Sequence, residues 1–135
     1  MNAPAEKIVR IAVAVILGLH GAHRAVTGGY LLFGQFLAAK GFPAGTGLAA
    51  LITIGELVGA AALLLNRGVF WACCGHAVVL AGGIVLVHAP AGWFVVGAGR
   101  NGVEFSVLLL ACLAALAWPH RPWRREAAAP STLRS

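Results

Sequence analysis

The apolar residues of this chain fall into long runs, with the polar residues as short punctuation between them. Residues 8–26, 47–65, 69–88 and 102–118 each come near the roughly 20 residues that a helix needs to cross a hydrocarbon core. Asn66-Arg67-Gly68 separates the second run from the third as a tight turn, which makes those helices antiparallel neighbours. Pro90 ends the third run and Pro119 the fourth. The pattern predicts an all-α fold: an integral membrane four-helix bundle.

Between the first two runs the pattern changes. After Thr27-Gly28-Gly29, Phe33, Phe36 and Leu37 share one helical face while Gln35 and Lys40 lie off it, and Gly41-Phe42-Pro43 breaks the period. This predicts a short interfacial helix between the first two spans, with an apolar loop packed on the bundle as the alternative. Ala14, Gly18 and Ala22 in the first span, and Gly55 and Gly59 in the second, recur at the i, i+4 spacing that lets helices approach closely. Trp93 and Phe94 suit interfacial anchoring, and Gly97, Gly99 and Gly102 loosen the connection into the last span.

Composition narrows the class. The chain is 60% hydrophobic and 10% charged, with a mean hydropathy of +0.87, whereas a soluble domain is about one quarter charged. The net charge of +6 does not indicate nucleic acid as a partner, because the basic residues flank apolar runs instead of gathering on one face. The partner that these runs require is the lipid bilayer. A charged start followed by apolar residues 11–19 resembles a secretory signal, but His20, His23 and Arg24 stand where small residues should mark cleavage.

The basic residues also orient the spans. Lys7, Arg10, Arg67, Arg121, Arg124, Arg125 and Arg134 fall on one side, and Arg24, Lys40 and Arg100 on the other. The positive-inside rule then predicts cytoplasmic termini. The expected organisation is a cytoplasmic N-terminal tail at 1–7, a four-span membrane domain at 8–118, and a basic cytoplasmic tail at 119–135 that is disordered.

Glu56 is the polar residue hardest to place, since it lies roughly 14 Å of helix rise below Gly47. An acidic side chain at mid-membrane costs about 2.5–3.5 kcal/mol, so Glu56 should face protein or water and find a partner. His20, His23 and Arg24, His88, and Arg100 with Glu104 all fall toward the same outer half. These residues make a candidate site for ligand binding or proton relay: Glu56, Glu104, His20, His23, His88 and Arg100. A quinone is the natural candidate ligand, because it arrives through lipid and its carbonyls need protons as they accept electrons.

Plainer roles stand beside this one. Glu104 in a first helical turn complements the helix dipole, with Arg100 four residues away. The histidines near a boundary can simply be solvated or bonded to backbone, and Glu56 can serve a structural ion pair. No metal is assigned: His20 and His23 share a face, but the Glu-x-x-His pairs of di-iron bundles are missing. A haem between His20 or His23 and His88 has no further support. Cys73, Cys74 and Cys112 read as small buried hydrophobes without disulfide pairing, and His76 as a packed helix residue.

With these residues in order, the chain resembles the DoxX family of small four-helix bacterial membrane proteins. The resemblance runs over residues 9–118 and rests on several motifs. They are Gly18-Leu19-His20-Gly21, Phe36-Leu37 leading to Gly41-Phe42-Pro43, and Glu56 with Gly59. Further along come Val87-His88 with Gly92-Trp93-Phe94, and Gly99-Arg100-Asn101-Gly102 followed by Glu104-Phe105-Ser106. It implies a bacterial inner-membrane protein in which Glu56, His88 and Glu104 match recurrent polar positions. Some relatives are associated with quinone-linked oxidation of sulfur compounds or with membrane redox complexes. The functional expectation is a membrane subunit of a quinone-linked redox system, at most one subunit of a membrane oxidoreductase, working with a redox or assembly partner protein. The alternative is a non-enzymatic membrane scaffold or assembly partner.

Overall fold

A computed structural model describes residues 3–97 and 101–123. It contains helices α1 (Ala3–Val26), α2 (Gly29–Ala39), α3 (Gly45–Leu64), α4 (Val69–Gly83) and α5 (Glu104–His120), and there is no strand among the described residues. A π-helical turn, Ile84–His88, and a 3₁₀ turn, Ala89–Ala91, prolong α4. The fold is all-α, as the apolar runs predict.

Among the described residues two helices are long and apolar enough to cross a membrane, Gly45–Leu64 and the continuous stretch Val69–Ala91. Their outward faces are apolar too: Leu51, Ile54 and Val58 on α3, and Trp71, Val78 and Val85 on α4, are all exposed. An apolar surface of that extent marks contact with lipid or protein rather than water.

One core joins α1, α3, α4 and α5. Val13, Ala14 and Leu17 meet Leu63, then Val69 and Cys73, then Leu109, Leu113 and Leu116. The core therefore lies toward the end of the bundle that carries the α3–α4 turn. That turn is built on positive φ at Asn66 and Gly68, the two residue types that tolerate left-handed backbone best. Arg10, only 8% exposed, seals the same end. Its guanidinium donates to the carbonyl oxygens of Leu63 and Leu64, which belong to the last turn of α3, where the carbonyls lack the i+4 partners of the helix interior. A cation there also complements the negative end of the helix dipole.

Two expectations need amending here. Residues 3–7 are not a tail but the first turns of α1, with Pro4 at a position where its missing N–H costs nothing. Glu6 holds that start in place by accepting a hydrogen bond from His120 Nε2 on α5, at 2.8 Å.

The second concerns the glycines. Gly18 does pack closely on α3, where a Cβ would lie 3.3 Å from Ala60 Cβ. Gly55, however, has open space beside it, and Gly59 receives the ring of His76 rather than a helix backbone. The closest helix approach is instead between α2 and α3. An added Cβ on Gly34 would collide with the backbone of Thr46, and one on Gly45 with the Gly34 carbonyl. This contact docks α2 on α3, with Gly34 and Leu37 buried and Leu31 and Leu32 outward.

Candidate functional site

Glu56 lies on α3, 5% exposed, and its partner is Arg24 from the last turn of α1. Arg24 Nη1 and Glu56 Oε2 are 2.6 Å apart, a charge-assisted contact of the strong kind. The same Nη1 is 3.4 Å from Thr53 Oγ1. Thr53 donates its own hydroxyl hydrogen to the Ala49 carbonyl at 2.8 Å, which leaves an oxygen lone pair turned toward Arg24. On its other side the guanidinium lies 4.8 Å from the centroid of the Phe33 ring on α2, a cation–π distance. Three helices thus clasp one buried ion pair.

Local sequence explains how they come together. Gly21 on α1 faces Glu56, and a Cβ there would lie 3.3 Å from Glu56 Cβ. A larger residue at 21 would push α1 off α3 and lengthen the reach from Arg24. Positions 53 and 56 are three apart on α3 and so share a face.

Among the described residues, none of the other predicted site residues hydrogen-bonds to this pair. His20 and His23 are exposed on α1, and His20 lies within electrostatic reach of Arg24, His23 and His88. His88, on the π turn, bonds through Nδ1 to the carbonyl of Asn101 at 2.8 Å. Because a carbonyl only accepts, Nδ1 carries the hydrogen.

Glu104 accepts the Val95 N–H at 3.0 Å. It belongs to a bonded connection in which Val103 N–H donates to Gly92 O and Glu104 N–H to Trp93 O, both at 3.1 Å. Arg100 lies outside the described residues. The structure therefore groups Glu56 with Arg24 and Thr53, and places His88 and Glu104 in the segment that ties α4 to α5. Among the described residues no three His, Cys, Asp or Glu side chains form a group able to hold a metal.

A second feature adjoins Glu56. Between α3 and α4 runs a groove of about 520 Å³, lined chiefly by apolar and small residues, with Glu56 and His76 as its polar members. Exposed Leu51, Val58 and Trp71 form its rim. His76 is 3% exposed, and its Nε2 has no hydrogen-bond partner.

Two members of this site escaped the sequence reading. The sequence places Arg24 among the outer polar residues without naming it as the partner of Glu56. The available signal was its position near the outer end of the first span. His76 reads from the sequence only as a packed helix residue, although Ala72, Gly75, His76 and Val79 share one helical face whose small residues surround a lone histidine.

Searches among curated proteins and among solved structures return no match. The DoxX family profile matches residues 6–89, from the first turns of α1 through the π turn that carries His88. Glu56, His76 and His88 lie inside that span, whereas Glu104 and the rest of α5 lie beyond it. Since the match covers more than half of the chain, the protein belongs to the DoxX family.

Proposed function

We propose that this protein is a multi-pass membrane protein of the bacterial inner membrane. On this reading α1, α3, α4 and α5 cross the bilayer, α2 lies at the outer interface and both termini are cytoplasmic. The basic residues support this orientation: Lys7, Arg10, Arg67 and Arg121 gather at the end with the α3–α4 turn, against Arg24 and Lys40 at the other. Within the membrane the protein serves as a subunit of a quinone-linked redox system.

One observation carries the reading. Glu56 belongs both to a buried ion pair and to the wall of a groove whose rim is exposed and apolar. A ligand that travels in lipid can enter such a groove and meet a charged, proton-accepting group at its inner wall. A quinone bound there would take electrons from a partner redox protein and protons as it is reduced. The protein's own residues bind and orient: Glu56 and His76 offer hydrogen bonds to a polar head, Arg24 holds the carboxylate in place, and the apolar rim excludes water.

The test is mild extraction of the protein from its native membrane, followed by mass spectrometry of the intact complex for wild type and Glu56→Gln. Wild type is expected to carry quinone and a redox partner, and the variant to stay folded but lose the quinone. A wild-type complex without quinone, or one equally loaded after the substitution, refutes the redox reading.

A second reading, a scaffold or assembly partner, draws on the Arg24–Glu56 pair itself. A pair that clasps three helices is reason enough to place a carboxylate in a span. That reading predicts loss of the folded bundle when Glu56 is changed, with no quinone in the wild type.

A further inference from the structure

The groove between α3 and α4 is shaped by residues that the helix packing does not use. Gly55 on α3 and Gly75 on α4 both line it, and a Cβ on either would meet no atom within 4 Å. Its volume of about 520 Å³ falls inside the range of ligand pockets, roughly 300–1,000 Å³. At its wall lies His76, more than nine-tenths buried, with Nε2 unpartnered. A buried polar atom normally has a partner, and one without needs a reason, of which a group from outside the chain is one. The imidazole rests over Gly59, where any Cβ would come within 2.6 Å of Nε2. Glycine at 59 therefore makes the seat for this ring.

We propose that the α3–α4 groove is the binding site for the ring of a quinone or quinol, and that His76 is the residue that grips its oxygen. This deepens the function proposed above and rests on it. The occupant's chemistry follows from the two ends of the groove. The rim of Leu51, Val58 and Trp71 suits an apolar tail lying in lipid. The imidazole suits a head that alternates between carbonyl and hydroxyl, because a neutral histidine can donate through Nε2–H in one tautomer and accept at Nε2 in the other. A side chain that only donates, such as lysine, could serve one oxidation state but not both. Nε2 rests against Gly59, and His76 lines the groove together with Gly55, Gly59 and Gly75, so engaging the head requires the imidazole to turn Nε2 off Gly59 into the groove.

The test measures decylubiquinone binding to the protein in lipid nanodiscs through quenching of tryptophan fluorescence, with Trp71 on the groove as the internal reporter. His76→Leu replaces the imidazole by an apolar side chain and removes an unpaired polar atom, so the bundle keeps or gains stability. The expected result is binding weakened about tenfold, the factor that corresponds to roughly 1.4 kcal/mol. Gly75→Leu, which fills the groove where nothing else stands, is expected to abolish binding while the helical circular dichroism is unchanged.

Unaltered affinity in both variants overturns the assignment of the groove. If binding is then lost in Glu56→Gln, a quinone site remains but lies elsewhere, and only this inference falls. Wild type that fails to bind decylubiquinone at all removes the quinone reading along with it. If, in addition, Gly75→Leu changes the mass of the particle in light scattering, the groove is an interface between copies of the chain.

Discussion

The Arg24–Glu56 pair gives the most direct physical test of the structure. Its two charges are joined at 2.6 Å, with side-chain exposures of 14% and 5%, and each alone would be poorly placed. Removing one partner of a buried pair costs about 3–5 kcal/mol, mostly because the other charge is left behind. The two single variants should differ within that range. Glu56→Gln leaves Arg24, which sits in the last turn of α1 and can swing its long side chain toward the helix end, so its cost lies near 3 kcal/mol. Arg24→Gln leaves a carboxylate on the middle of α3 whose only relief is to take up a proton, so its cost lies nearer 5 kcal/mol at alkaline pH and falls as the pH is lowered.

The double variant Arg24→Gln/Glu56→Gln removes both charges and lets two amides bond to each other. It should cost less than the sum of the singles by at least about 2 kcal/mol. The assay is equilibrium unfolding of the four proteins in mixed detergent micelles titrated with dodecyl sulfate, followed by tryptophan fluorescence. Additivity within roughly 0.5 kcal/mol, the behaviour of independent sites, would show that the pair does not exist in solution. The cycle also bears on function. A variant that regains stability in the double background but not ligand binding separates the clasping role of Glu56 from its role at the groove.

Three further predictions concern single positions. Within the Gly55-x-x-x-Gly59 pattern, Gly55→Ala should be neutral or stabilising by up to about 1 kcal/mol, since its Cβ meets nothing and alanine favours helix. Gly59→Ala should instead destabilise and displace His76, read as a shift of the His76 ring resonances in NMR. Arg10→Met should cost about 2–4 kcal/mol, because the carbonyls of Leu63 and Leu64 lose a charged donor, and hydrogen exchange should quicken in the last turn of α3 while the α2 amides keep their rates.

The helices were legible because each apolar run is bounded by residues with a local reason to end it. The turn at 66–68 follows from asparagine and glycine alone, and α2 from the spacing of Phe33 and Leu37. The start of α1 was not legible, since residues 3–7 look like any polar tail until His120 arrives from the far end of the chain to hold Glu6. The glycines misled for a related reason. Spacing at i, i+4 puts Gly55 and Gly59 on one face, but it cannot say whether that face meets a backbone, a ring or a groove.

At the site, the need of Glu56 for a partner could be read from the cost of a carboxylate in a span, whereas the identity of that partner depends on how α1 lies against α3. Depth groups His88 and Glu104 with Glu56, and His88 keeps a tie to that end of α1 through His20. Their hydrogen bonds are with the connection from α4 to α5, as the contacts with Asn101 and Val95 show.

The glycines of the groove raise a last point about what shapes this bundle. Glycine in a helix interior costs up to about 1 kcal/mol relative to alanine, and close packing is the usual compensation. Gly18, Gly34 and Gly45 have that compensation, since a neighbouring helix occupies the space a side chain would need. Gly55 and Gly75 do not. Gly47 and Gly82 also face open space, but neither lines the groove, whereas Gly55 and Gly75 line it from opposite walls. If the chain needed only to hold α3 against α4, alanine or leucine at both positions would fill the gap and add contact area to the bundle. The groove is therefore a cost in packing that stability alone does not explain. Its return lies in whatever occupies it, and the unpartnered nitrogen of His76 at its wall gives that occupant a reason to bind in one orientation.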